Sequence, residues 1–138
     1  MTVPPLDGVL EAALYTDDLN AARVFYRDIM GLTELVAVPE RHVFFRAGST
    51  ILLVFNPDAT KVLSGNPALP VPPHGAHGPG HLCFAASGPA IQSWHDRLSV
   101  AGYPIEADFR WPGGARSIYF RDPAGNSLEI AEPDLWAE

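Results

Sequence analysis

Three short stretches of this chain each set one ligand-type side chain on the small-residue face of a strand. In Val9–Tyr15, Leu10 and Leu14 share one side, while Glu11, Ala13 and Tyr15 share the other. In Gly80–Ala86, Leu82 and Phe84 lie opposite His81, Cys83 and Ala85, and in Ser127–Ala131, Leu128 and Ile130 lie opposite Glu129 and Ala131. Successive side chains of a strand face opposite ways, so the hydrocarbon marks the core side and Glu11, His81 and Glu129 the other. A carboxylate on an inner sheet face is costly unless it is paired, hydrogen-bonded or bound to metal. Two carboxylates and an imidazole satisfy one another through one divalent cation. Three protein ligands also leave positions open, the condition for a catalytic rather than a structural site. Each residue has a plainer reading: Glu11 paired at a sheet edge with an arginine, His81 structural, and Glu129 hydrogen-bonded to Tyr119 or Ser117.

The elements that must position these groups read as one plan written twice. In the first half, Asp17-Asp18 offers an N-cap, and a helix runs from about Leu19 to Met30. Its buried stripe is Leu19, Ala22, Tyr26 and Ile29, with Gly31 at the C-terminal cap. Strands are expected at Leu32–Val38, His42–Ala47 and Thr50–Phe55, the last two joined by Gly48-Ser49. In the second half, Ser87-Gly88-Pro89 opens a helix with buried Ile91, Trp94, Leu98 and Ala101, closed by Gly102. Strands at Tyr103–Phe109, Ala115–Arg121 and Ser127–Ala131 follow, the last pair turning through Asp122–Asn126. The expectation is a single domain over 1–138, with half-modules at 8–56 and 79–132 and a proline- and glycine-rich linker at 57–78. That linker is long for an idle loop and suits a cover over a pocket.

Hairpin register extends the candidate site. With Asp122–Asn126 as the turn, Tyr119 falls opposite Glu129 and Ser117 opposite Ala131. In the first half Phe44 falls opposite Leu53, and His42 opposite Phe55. His42 is then a candidate base or fourth ligand, and Tyr119 a candidate acid or substrate hydrogen-bond donor. Phe44, Leu53, Phe55, Ser117, Arg116 and Trp111 are candidate substrate contacts. The aromatic ones read equally as core, and Arg116 reads more readily as a surface ion pair. His74 and His77 read as solvated linker residues, His95 as exposed, and Cys83 as a small filler with no sign of a reactive thiolate.

Bulk properties exclude several classes. A formal net charge of −7, with nine scattered Lys and Arg residues, argues against nucleic acid and anionic membranes. No run of roughly 20 apolar residues, enough to cross a bilayer, is present, nor is a basic-then-apolar leader. The single cysteine makes no internal disulfide, so a reducing cytoplasm is the expected location.

The two βαβββ halves, with "YTDDLNAARVFYRDIMGL" at 15–32, "GPGHLCF" at 78–84 and "YFRDPAGNSLEI" at 119–130, resemble the vicinal-oxygen-chelate superfamily: glyoxalases, bleomycin-resistance proteins, extradiol dioxygenases and fosfomycin-resistance enzymes. The resemblance implies an α+β fold of eight strands in two cupped mixed sheets with helices on the outer face. It further implies a homodimer, a small-molecule ligand, and one divalent ion (Zn, Ni, Mn, Co, Mg or Fe) on Glu11, His81 and Glu129. Two departures stand out. Leu53 occupies the position of the fourth glyoxalase ligand, and Glu11 replaces the first histidine of the dioxygenases, giving a harder, oxygen-rich set. The function so implied is a metal-dependent lyase, isomerase or oxygenase acting on vicinal oxygens, with Glu11 or Glu129 as metal-bound ligand and catalytic base at once. The alternative is a bleomycin-resistance-type protein that sequesters a drug or metabolite without chemistry.

Overall fold

A computed structural model describes residues 2–137. Eight strands form two four-stranded mixed sheets. Sheet 1 holds β1 (Glu11–Tyr15), β2 (Thr33–Val38), β3 (His42–Ala47) and β4 (Thr50–Phe55) in the order β1-β4-β3-β2. Sheet 2 holds β5 (His81–Ala85), β6 (Ala107–Arg110), β7 (Arg116–Arg121) and β8 (Ser127–Ala131) in the matching order β5-β8-β7-β6. In each, the first and last strands run parallel and the remaining pairs antiparallel. The hairpin registers agree with expectation: Phe44 pairs Leu53, His42 pairs Phe55, Tyr119 pairs Glu129 and Ser117 pairs Ala131.

The first helix departs from a regular one. α1 (Leu19–Arg23), capped by the Asp18 side chain on the Ala21 N–H, continues as a π-helical stretch over Val24–Ile29. The wider turn, closed by the Met30 N–H on the Phe25 carbonyl, seats two adjacent aromatics, Phe25 and Tyr26, both fully buried. α2 (Pro57–Thr60) is a single turn opening the linker, and α3 (Gly88–Val100) starts at a Ser87 cap as its sequence requires. β6 is shorter than the stretch from Tyr103. The Tyr103 N–H is spent on the Leu98 carbonyl closing α3, and Pro104 has no N–H to give, so the ladder begins only at Ala107.

One core serves both halves. Leu14, Phe45 and Leu52 of sheet 1, Phe120, Leu128 and Ile130 of sheet 2, and Phe25, Tyr26, Ile91 and Leu98 of the helices form a single buried cluster. The helix-covered sheet faces therefore look inward together, and the opposite face of each sheet stays open. On those open faces lie Glu11, Ala13, His81, Cys83 and Phe109, all exposed. Among the described residues, no helix is long and apolar enough to cross a membrane.

A polar knot ties the halves together. The Tyr26 hydroxyl donates to Asp122 Oδ2 at 2.6 Å in the interior. Asp122 also accepts from the N–H groups of Ala124 and Asn126 and from the Asn126 amide. Asn126 in turn donates to the Tyr15 carbonyl and accepts from the Gly80 N–H, so one turn holds the end of β1 and the start of β5. Burial first, then Asp122, holds the Tyr26 hydroxyl well above the usual phenol range, so it remains a donor. Tyr26→Phe strips one donor from a buried carboxylate and is expected to cost about 1–3 kcal/mol in urea unfolding. Tyr103→Phe, a control outside this knot, should cost well under about 1 kcal/mol. Equal losses for the two variants would dismiss the knot as a stabilising element.

Candidate active site

Glu129 sits at the centre of the open face of sheet 2, yet is only 5% exposed. Its environment splits its two oxygens. Oε2 accepts from the Ser117 hydroxyl at 2.6 Å, and Ser117, itself fully buried, accepts from the indole N–H of Trp111 at 2.8 Å. Oε1 faces His81, whose Nε2 stands 3.4 Å away. The other imidazole nitrogen of His81 lies 3.0 Å from the Ser127 carbonyl. A carbonyl can only accept, so Nδ1 carries a proton, and Nε2 is the ring nitrogen turned to Glu129. Two donors each about 2.1 Å from a single cation lie roughly 3.0–3.4 Å apart for octahedral to tetrahedral angles. His81 and Glu129 therefore fit a shared divalent ion, with their outward-facing atoms already fixed by Ser127, Ser117 and Trp111.

Tyr119 and Cys83 flank the carboxylate. The Tyr119 ring stacks between His81, at 6.1 Å, and Phe109, at 5.8 Å between centroids. Burial, then hydrogen bonding to Glu129, pushes the Tyr119 phenol up to about 12, so it stays protonated and can only donate near neutrality. Burial of the sulfur, then the Glu129 charge, likewise pushes the Cys83 thiol up to about 12. That is a filler, not a nucleophile.

Sheet 1 repeats the arrangement with other residues. β1 against β4 sets Glu11 beside Ile51 and Ala13 beside Leu53, while β5 against β8 sets His81 beside Ser127 and Cys83 beside Glu129. Glu11 thus takes the place of His81, and Leu53 that of Glu129. Glu11 is exposed on this second face, and among the described residues no group of three His, Cys, Asp or Glu side chains comes together to hold a metal. Further along the same face, the His42 ring stacks on Phe44 at 4.1 Å and meets Phe55 edge-on at 5.8 Å. Burial, then the neighbouring Arg41, lowers the His42 imidazole below its usual range.

Several placements differ from the sequence reading. The polar atoms of Ser117 and Trp111 are engaged in holding Glu129 rather than turned to a ligand. Arg116 points to the helix side, bonding Asp108 through a bidentate pair and Gln92 on α3, which is the ion-pair alternative of the sequence reading and not the substrate contact. His74 is not a solvated linker residue: it is half-buried, with Nδ1 2.8 Å from the Tyr15 hydroxyl and its ring on Phe55 at 4.6 Å. His95 is partly buried, with Nδ1 unpartnered and Nε2 3.7 Å from Asp108. Nothing in the linker's composition marks His74, because its partners lie far away in sequence.

Comparison with known proteins identifies the family and the fold. Residues 8–130 match the Glyoxalase/Bleomycin resistance protein/Dioxygenase superfamily. A crystal structure of lactoylglutathione lyase from Agrobacterium tumefaciens is 44% identical, covers 96% of this chain and 98% of its own, and superposes with a TM-score of 0.88. A glyoxalase/bleomycin resistance protein/dioxygenase from Nocardioides (24% identity, 94% and 85% coverage, TM-score 0.73) shares the fold. So does a genomically encoded fosfomycin resistance protein from Listeria monocytogenes (19% identity, 93% and 94% coverage, TM-score 0.68). The chain belongs to the glyoxalase/bleomycin resistance/dioxygenase superfamily.

Proposed function

We propose that this protein is a divalent-metal-dependent enzyme that chelates two vicinal oxygens of a small substrate and moves a proton beside its carbonyl. The observation that carries this reading is the His81–Glu129 pair, 3.4 Å apart with both outer sides anchored. When bound there, the metal supplies Lewis-acid polarisation of the substrate oxygens. The chain's own residues supply the rest. Ser117 keeps Oε2 of Glu129 occupied and leaves Oε1 to face His81 and the open side. Tyr119, still protonated, donates to Glu129 or to substrate, and its stack with His81 and Phe109 walls off one side. Among metals, an oxygen-rich Glu/His/Glu set suits Zn, Ni, Mn, Co or Mg better than iron that activates oxygen. The likeness to a protein called lactoylglutathione lyase makes lactoylglutathione the first compound to test.

In this reading Glu11 comes from a second copy. It stands on sheet 1 while His81 and Glu129 stand on sheet 2, and both open faces expose apolar side chains such as Val36, Val38 and Phe109. A two-fold dimer brings sheet 1 of one copy over sheet 2 of the other, so each cup takes ligands from both. The protein is taken to work in the cytoplasm, where its single cysteine stays reduced.

Elemental analysis of protein purified from metal-supplemented medium is expected to give about one divalent ion per chain. Glu129→Gln and His81→Ala should lose both the ion and any turnover of lactoylglutathione. A metal-free wild type that binds planar drugs tightly would replace this reading with sequestration. Mixing inactive Glu11→Gln with inactive Glu129→Gln tests the shared cup: random reassortment into dimers restores about a quarter of wild-type activity. No recovery after verified subunit exchange would mean that each site is built within one chain. Trp111→Phe should leave the fold intact but weaken metal binding by about 10- to 100-fold, because Ser117 loses the donor that orients it. Unchanged metal affinity would remove Trp111 from the site.

A further inference from the structure

The open face of sheet 1 carries a second organised cluster beyond Glu11. Tyr15 lies four residues along β1 from Glu11 on the same face, about 13 Å away at strand spacing. Ala13, Leu53 and Phe44, neighbours through Ala13↔Leu53 and Phe44↔Leu53, floor the path between them. At the far end His42, Phe55, Tyr15 and His74 converge, with ring centroids 4.6–6.1 Å apart.

Two features distinguish this cluster from ordinary packing. The first is the linker: over residues 61–80 every side chain is exposed except those of Ser64 and His74. His74 docks by its backbone N–H on the Thr60 carbonyl, by Nδ1 on the Tyr15 hydroxyl and by its ring on Phe55. The linker thus contributes a side wall through one residue. The second is the state of His42. Arg41 Nη1 stands 2.7 Å from His42 Nδ1, and a guanidinium can only donate. Nδ1 must therefore accept, the proton sits on Nε2, and the ring is neutral. An imidazole held this way is neither a free base nor a metal ligand through Nε2; it is a fixed N–H donor beside an aromatic wall. This replaces the base or fourth-ligand role expected from sequence.

We propose that this cluster is the subsite for the non-chelating end of the substrate, and that it takes a flat, carbon-rich group bearing an acceptor oxygen. Phe44 and Leu53 carry the flat group, His42 Nε2–H donates to the oxygen, and His74 closes the side. The neighbouring Arg41 guanidinium favours a carboxylate as the acceptor over a neutral oxygen. The proposal rests on the reading of Glu11 as a ligand at the chelating end.

Hydroxamates, which chelate through two vicinal oxygens, separate the two ideas. Binding of acetohydroxamate, 5-phenylpentanohydroxamate and its para-carboxylate to the zinc-loaded protein is measured by calorimetry. The phenyl tail should tighten binding by about tenfold and the carboxylate by about tenfold more. His42→Phe, which keeps the stack but has no N–H, should lose the carboxylate's gain, and His42→Gln, which restores a donor, should regain most of it. His74→Ala should weaken both tailed compounds and leave acetohydroxamate unchanged. If all three compounds bind alike, or if the variants weaken acetohydroxamate as much as the tailed compounds, the subsite is refuted. Should acetohydroxamate itself fail to bind, the metal reading falls. Benzoate, which does not chelate in that manner, then decides the subsite alone. Shifts of the His42 and His74 imidazole resonances on adding it to metal-free protein support the subsite, and unmoved resonances overturn it.

Discussion

Everything at the candidate centre follows from the cost of placing the Glu129 carboxylate on a sheet face with almost no access to water. One oxygen is compensated inside the protein by the Ser117–Trp111 chain, and that compensation draws on strand register. Ser117 pairs with Ala131, two residues from Glu129 on β8, which is the diagonal distance a short hydroxyl can bridge. Trp111 reaches the same hydroxyl across the β6–β7 turn, closed by its own N–H on the Ala115 carbonyl. The second oxygen faces His81, presented by the parallel neighbour β5. Three strands, β5, β7 and β8, and the β6–β7 turn therefore each give up a position to a single carboxylate. A register slip in either hairpin would break the arrangement at once.

The Asp122–Asn126 turn carries the same precision into the rest of the molecule. It closes the hairpin that bears Tyr119 and Glu129. It also binds the Tyr26 hydroxyl from the first half, the Tyr15 carbonyl at the end of β1 and the Gly80 N–H at the start of β5. The strands bearing Glu11 and His81 are thus anchored at a shared point while their sheets face different ways. Because both helix-covered faces are consumed by one core, each open face has no partner within the chain. That division explains why Glu11 remains apart from His81 and Glu129 although all three obey the same alternation.

Alternation and hairpin register were the legible part, because both are local. The face of Glu11, His81 and Glu129, and the pairings of Tyr119 with Glu129 and of Phe44 with Leu53, follow from period two and from turn residues. The same logic disposes of Arg116: as the neighbour of Ser117 it had to point to the helix side, where it meets Asp108 and Gln92. What the chain does not disclose locally is anything decided by distant partners. The π-helical stretch depends on seating Phe25 and Tyr26 together against residues of both sheets. The short β6 depends on where Tyr103 sends its N–H. His74 sits in a stretch whose composition reads as solvent-facing, and only the aromatic pair Tyr15 and Phe55 captures it.

The internal pseudo-symmetry then gives the two halves different tasks. Glu11 matches His81, Leu53 matches Glu129, Phe44 matches Tyr119 and His42 matches Ser117, pair for pair in the observed registers. Sheet 2 uses its set to hold and orient one carboxylate. Sheet 1 keeps a single ligand-type residue and converts the remaining positions into a leucine, a phenylalanine and a neutral histidine. A leucine has no lone pair to offer a cation, so its position cannot serve coordination, and a half-buried apolar surface beside an open site gains by covering itself with carbon. The loss of a fourth ligand and the presence of an apolar floor are therefore one substitution seen from two sides. Under the proposed function, sheet 2 anchors the chemistry and sheet 1 selects what is brought to it.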